Sequence, residues 1–175
     1  KLKNIFFIGR LVEDKDPIFF IKNLLKIKDQ LNCKIHIVGR GILSKQIIKY
    51  QKKNSEFIKF HGYVKNPFER FKNKIDLFCV TSKYDGTPNV LGEAMSFAIP
   101  CLAPLKVGLC SMLLKNEKYG YLYDPEKPKT FCKKILKINN EFFLAQQKSK
   151  LGFISMKRFN KKNTLYKLKH EIQKI

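Results

Sequence analysis

The sequence has no apolar run near the ~18–20 residues needed to span a bilayer, which excludes a transmembrane helix. It has no Cys-x-x-Cys pair, and its five cysteines (Cys33, Cys79, Cys101, Cys110 and Cys132) are odd in number and widely spaced. That argues against a disulfide framework and against a zinc site, and it fits a reducing, cytoplasmic compartment. The opening residues break at Gly9-Arg10 and offer no cleavage site, so a secretory signal is not expected. The chain does not start with Met, and it reads as a piece of something longer. Acidic residues are scarce: 14 Asp and Glu stand against 36 Lys and Arg, for a formal net charge of +22. Arginine is scarce too, being confined to Arg10, Arg40, Arg70 and Arg158. No RNA-recognition motif or helix-turn-helix pattern accompanies this charge, so nucleic acid is not expected as a partner. Two readings of the charge stand side by side. One is attraction to an anionic partner, either a phosphate-bearing substrate or the anionic inner face of a membrane. The other is drift toward the Lys, Ile, Asn and Phe of A/T-rich codons on solvated faces.

What is present fits one α/β domain. A chain of 175 residues with 44% hydrophobic content can bury a substantial core. Strand and helix signals alternate along it. Strands are expected over 4–8, 34–38, 57–60, 75–80, 100–103 and 119–123. Helices are expected over 16–31, 43–53, 67–73 and 88–98, with mostly helix from 125 onward. Asp16 should cap its helix, with Pro17 at the first helical position. This alternation predicts a doubly wound, mostly parallel, Rossmann-like α/β sheet. Residues 1–156 would form that domain and residues 157–175 a basic carboxyl-terminal helix. In such sheets ligands bind at the carboxyl ends of the strands, where loops lead into helix N-termini.

Two of those loops carry chemistry. Asp85-Gly86-Thr87-Pro88-Asn89-Val90 follows the strand over 75–80. Thr87 can cap a helix with Pro88 in its first position, leaving the amides of Asn89 and Val90 aimed outward as an anion site suited to a diphosphate. Glu93 shares their face, roughly 5–6 Å along the axis, where its carboxylate can accept from two vicinal hydroxyls, as on a ribose. Gly86 permits close backbone approach, and Asp85 could hold hydroxyls of a second sugar. The bland alternative is an ordinary capped helix with a surface Glu. The other loop runs from Gly9 and Arg10 to Lys15. It offers two cations that could bind a pyrophosphate and stabilise its charge as a leaving group; alternatively, both are solvated. Gly39-Arg40-Gly41 is a weaker signal, because the full Gly-x-Gly-x-x-Gly dinucleotide fingerprint is missing. Among the histidines, His36 is expected packed within a strand, His61 near the site without acting as a base, and His170 solvated.

Together these segments resemble the carboxyl-terminal domain of the family 4 glycosyltransferases of the GT-B fold, over residues 4–138. The matching elements are Gly9-Arg10-Leu11 with Lys15, Ile37-Val38-Gly39-x-Gly41, Phe60-x-Gly62-Tyr63-Val64, Ile75-Asp76-Leu77-Phe78, and the region ending in Glu93-Ala94-Met95. The resemblance implies that Arg10 and Lys15 bind the diphosphate of a nucleotide-sugar. It implies that Glu93 holds the ribose, that Asp85 contacts the donor sugar, and that the backbone near Tyr63 and Val64 meets the base. It implies transfer with retention and without metal or other cofactor. Three positions depart from the pattern: Asp85 replaces a Glu, Ala98 a common Gly, and the Gly-Gly plus Glu region reads Val107-Gly108-Leu109-Cys110-Ser111-Met112.

The expected function is therefore that of a donor domain, one half of a GT-B glycosyltransferase. It would bind a UDP- or GDP-sugar, with Arg10, Lys15, Asp85 and Glu93 as the acting side chains. The acceptor, a surface polysaccharide or a lipid-linked saccharide, would be held by an amino-terminal domain outside this chain. The alternatives are an epimerase on the same scaffold and a non-catalytic nucleotide-binding or membrane-docking module.

Overall fold

The computed structural model describes residues 1–86 and 88–157. Thr87 and the segment 158–175, with most of the expected terminal helix, Arg158 and His170, lie outside the described residues.

Six strands make one sheet: β1 (Asn4–Ile8), β2 (Lys34–Val38), β3 (Ile58–Phe60), β4 (Leu77–Cys79), β5 (Cys101–Pro104) and β6 (Tyr121–Tyr123). Their order is β3-β2-β1-β4-β5-β6, and every pairing is parallel. Parallel neighbours need crossovers, and the helices α1 (Pro17–Leu25), α2 (Ser44–Lys53), α3 (Pro67–Phe71), α4 (Asn89–Ser96), α5 (Cys110–Leu113), α6 (Lys129–Asn140) and α7 (Phe142–Met156) supply them and finish the layers.

The strand sequences explain the two layers. Side chains alternate between faces with period two. Ile5 and Phe7, Ile35 and Ile37, Leu77 and Cys79, and Tyr121 and Tyr123 face one layer, with Phe20, Ile21 and Leu24 of α1, Ile47 of α2 and Phe131 and Ile135 of α6. Phe6 and Ile8, Phe78 and Val80, and Cys101 and Ala103 face the other, with Phe68 of α3, Leu91, Ala94 and Met95 of α4 and Cys110 of α5. Both faces are covered, which is why these strands read as continuous apolar runs.

Several expectations shift. The helix after Asp16 ends at Leu25 instead of Leu31, because Ile27 leaves helical geometry at φ −120° and turns into the core; a 3₁₀ turn over Lys28–Gln30 follows. The cap itself is as expected: the Asp16 carboxylate accepts from the Phe19 N–H at 2.9 Å, and Pro17 follows at the first position. The helix expected from 88 begins at Asn89, with Pro88 as its cap residue at ψ 77°. The short helix α5 was not expected at all. His36 is packed as expected. It stacks on Phe6 with ring centroids 4.3 Å apart and lies within hydrogen-bonding distance of Asn4 Oδ1 (3.0 Å) and His61 Nε2 (2.9 Å).

Candidate functional site

All strands are parallel, so their carboxyl ends share one edge, and the loops leaving that edge are tied to each other. The Gly9 N–H donates to Val38 O, Leu11 N–H to Arg40 O, and Gly39 N–H to Gly62 O. Gly39 sits at φ +146°, and a Cβ there would fall 1.8 Å from Gly9 O, so only glycine lets the first two loops cross this closely.

The loops after β1 and β4 are knitted more tightly still. Thr81 Oγ1 lies 3.0 Å from the backbone oxygens of both Lys15 and Asp16 and donates to this pair. Lys83 N–H donates to Asp14 O at 2.8 Å, and Lys83 Nζ stands 3.4 Å from Asp16 Oδ2. Asp16 takes a left-handed φ of 44°, which turns the chain from the Lys15 loop into α1.

Between these loops and the start of α4 opens a cleft of about 310 Å3. Gly9, Arg10, Lys15, Asp85, Asn89, Val90 and Glu93 line it, over a floor of Phe78, Cys79 and Val80. Two loops distant in sequence and one helix terminus thus meet in one concavity. Arg10 is exposed and pairs with no carboxylate among the described residues. Lys15 Nζ is instead ion-paired with the Asp85 carboxylate. At the head of α4, the amides of Asn89 and Val90 have no acceptor four residues back inside the helix, and the helix dipole adds partial positive charge there. Glu93 is exposed and also borders a second, smaller concavity of about 160 Å3, formed with Asn66, Pro67, Phe68, Glu69 and Phe97. It therefore stands on the ridge between two hollows.

The remaining expected site residues lie outside the lining of the main cleft. Gly39 supports the loop crossing. Tyr63 is exposed with the Arg40 guanidinium 5.0 Å from its ring centroid, and Val64 packs on the apolar layer under α3. Gly86 lies beside the cleft, where its carbonyl accepts from Leu109 N–H at 3.2 Å. Thr87 is outside the described residues.

Three contributors have no role assigned to them from the sequence. Thr81 and Ser82 are buried polar residues lining the cleft at the end of β4. Their signal was position: a hydroxyl pair directly after an apolar strand that neighbours β1. Gly108 is the third. At φ +49° it passes so close under the Asp85–Gly86 backbone that a Cβ would lie 2.2 Å from Asp85 O and 2.3 Å from Gly86 O. Nothing in a single glycine announces that contact. Below the site, burial pushes the Cys110 thiol up to about 12, with the Asp85 carboxylate adding to the rise, so it is held as a neutral thiol. Among the described residues, no group of three or more His, Cys, Asp or Glu side chains gathers as metal ligands would.

Residues 2–141 match the family described as Glycosyl transferases group 1. An uncharacterised glycosyltransferase of Methanocaldococcus jannaschii is 32% identical over 126 residues, covering 66% of this chain and 30% of that protein. The GalNAc-alpha-(1->4)-GalNAc-alpha-(1->3)-diNAcBac-PP-undecaprenol alpha-1,4-N-acetyl-D-galactosaminyltransferase of Campylobacter jejuni is 29% identical over 143 residues, covering 79% of this chain and 39% of that protein. The chain thus spans well under half the length of these curated relatives. Among solved structures, a variant of S. aureus TarM in complex with Fondaparinux, alpha-GlcNAc-glycerol and UDP superimposes with a TM-score of 0.84 at 25% identity, covering 96% of this chain and 35% of that one.

Proposed function

This chain belongs to the Glycosyl transferases group 1 family, and on that footing we propose that it is the donor-binding half of a GT-B enzyme that takes a UDP- or GDP-sugar and passes the sugar to a lipid-linked or surface-polysaccharide acceptor. One observation carries the reading: Arg10, Lys15, the first amides of α4 and Glu93 converge on a single cleft at the carboxyl edge of the sheet. The diphosphate lies at Arg10, Lys15 and the amides of Asn89 and Val90. The ribose lies at Glu93, and the base lies beyond it, toward the loop that carries Tyr63 and Val64. The sugar projects past the phosphates toward Asp85.

The chemistry follows from charge. As the bond from the anomeric carbon to the diphosphate breaks, negative charge grows on the departing oxygen. Fixed cations and amide dipoles in a partly shielded cleft stabilise that charge more than they stabilise the intact donor. Transfer with retention and without a metal comes with the family resemblance. The acceptor hydroxyl comes from a second domain across the cleft, where the acceptor class is supported by the undecaprenol-linked substrate named for the Campylobacter relative. A lipid-linked acceptor would place the enzyme at the inner face of a membrane, where a chain carrying +22 finds anionic lipid.

Titration calorimetry with UDP and GDP tests the reading. One of the two should bind, and Glu93→Ala should weaken it by about tenfold or more, as loss of a doubly hydrogen-bonded carboxylate implies. Absence of binding by both nucleotides at millimolar concentration would sink the proposal.

A further inference from the structure

The Lys15–Asp85 pair puts two of the charged groups that line the cleft in contact with each other. They are 70 residues apart in the chain, and both are held from behind. On one side the Thr81 hydroxyl grips the backbone oxygens of Lys15 and Asp16, and Lys83 N–H grips Asp14. On the other, Gly108 presses under the Asp85–Gly86 backbone and Leu109 N–H holds Gly86 O. The side chains are only 21% and 13% exposed, so water and salt screen the pair less than an ordinary surface bridge. This pair is built by the fold.

We infer that Asp85 serves as an internal counter-ion of Lys15, competing with the nucleoside diphosphate for that cation and thereby favouring the sugar-bearing donor over the bare product. The inference rests on the donor-site reading above. A diphosphate entering the cleft must draw Lys15 away from Asp85 or sit beside an anion. With a sugar attached, the released carboxylate finds hydroxyls to accept from, and its lost partner is replaced. With a bare diphosphate it finds none, and a shielded carboxylate without a partner is unfavourable. Once the sugar has left for the acceptor, Asp85 regains Lys15 and hastens departure of the diphosphate. Arg10, which has no carboxylate partner among the described residues, keeps its hold on the phosphates throughout.

The test is calorimetry with UDP and GDP on five proteins: the parent chain, Asp85→Asn, Asp85→Ser, Lys15→Met and the Lys15→Met, Asp85→Asn double variant. Asp85→Asn should bind its nucleotide roughly 5- to 30-fold tighter than the parent, as expected when a competing, partly shielded charge partner is removed. Stopped-flow displacement should show the gain as slower release. In the Lys15→Met background the same substitution should change affinity by about twofold or less, since no pair remains to break. Asp85→Ser, which cannot form the ion pair, should reproduce the gain. Unchanged or weaker nucleotide binding by Asp85→Asn and Asp85→Ser would overturn the inference while leaving the donor-site reading intact. A gain of equal size without Lys15 would also overturn it, by showing that Asp85 acts only as a general repulsive charge. If no protein in the set binds either nucleotide, the donor-site reading fails and takes this inference with it.

Discussion

The histidine stack behind the β2 and β3 loops should give the protein an acid limb of calculable size. His36 is 8% exposed, and its folded-state pKa is lowered from 6.5 to about 4, first by burial, then by His61, Lys59, Lys34 and Lys74. His61 is lowered as well, by burial and by Lys59, Lys74 and Arg70. The geometry agrees: with Asn4 Oδ1 accepting from His36 Nε2, the other ring nitrogen must accept from His61. A second proton on His36 would set two N–H groups against each other. The sign follows directly. Above about pH 6.5 the ring is neutral in both states, and its contribution to stability is complete. As pH falls, the unfolded chain takes up a proton that the folded protein refuses, so stability falls, and the loss is complete only below about pH 4. For His36 alone the loss is about 2 kcal/mol at pH 5 and approaches ~3 kcal/mol at the limit. Urea titrations at a series of pH values, on the parent and on His36→Gln, would measure it. The variant should be less stable near neutrality, because the stack on Phe6 is lost. The gap between the two should then narrow by about 2 kcal/mol on going to pH 5. A gap that stays constant with pH would refute the reasoning, since the acid limb would then belong to the carboxylates.

Other expectations are more local. Gly39→Ala should destabilise the fold by roughly 3 kcal/mol or more, read as a lowered urea midpoint, because its Cβ would overlap Gly9 O and its φ of +146° is unfavourable for alanine. Asp16→Ala should cost about 1–2 kcal/mol by thermal unfolding through loss of the α1 cap, whereas Asp16→Asn, which still caps and tolerates left-handed φ, should stay within about 0.5 kcal/mol. Gly108→Ala should disturb the site more than the fold, and nucleotide affinity by calorimetry should change while the far-ultraviolet circular dichroism keeps its form. Nucleotide affinity should also fall as salt is raised, because Arg10 is exposed and screened.

The sheet was most legible at β1 and β2, which are short, apolar on both faces and stopped by glycine. Asn4–Ile8 and Lys34–Val38 end where the apolar runs meet Gly9 and Gly39. The outer boundaries were less legible. Ile75 reads as strand, yet it is buried in the turn ahead of Leu77. Local pattern cannot separate an apolar residue in a ladder from one tucked beneath a helix. At the site, Arg10, Lys15, Asp85, Asn89, Val90 and Glu93 stand out in the sequence because strand ends and helix starts mark themselves there, and the fold brings them to one cleft. Their pairing was not found. That Lys15 would face Asp85 depends on β1 lying beside β4, on the Thr81 hydroxyl and on the space left by Gly108, none of which has a period or a motif.

The strand order has a consequence for how the chain reaches this state. β1 precedes the other five strands along the chain but lies inside the sheet, between β2 and β4. One of its edges closes early, against a strand about thirty residues on, as Ile5 meets Ile35. Its other edge must wait for Leu77 and Phe78. During synthesis a half-sheet with an open, apolar central edge therefore exists until β4 emerges, and it offers backbone donors and acceptors to any extended segment nearby. Non-local parallel pairing of this kind is slow, so the yield of soluble protein should depend on expression temperature and chaperone supply more than the finished fold would suggest.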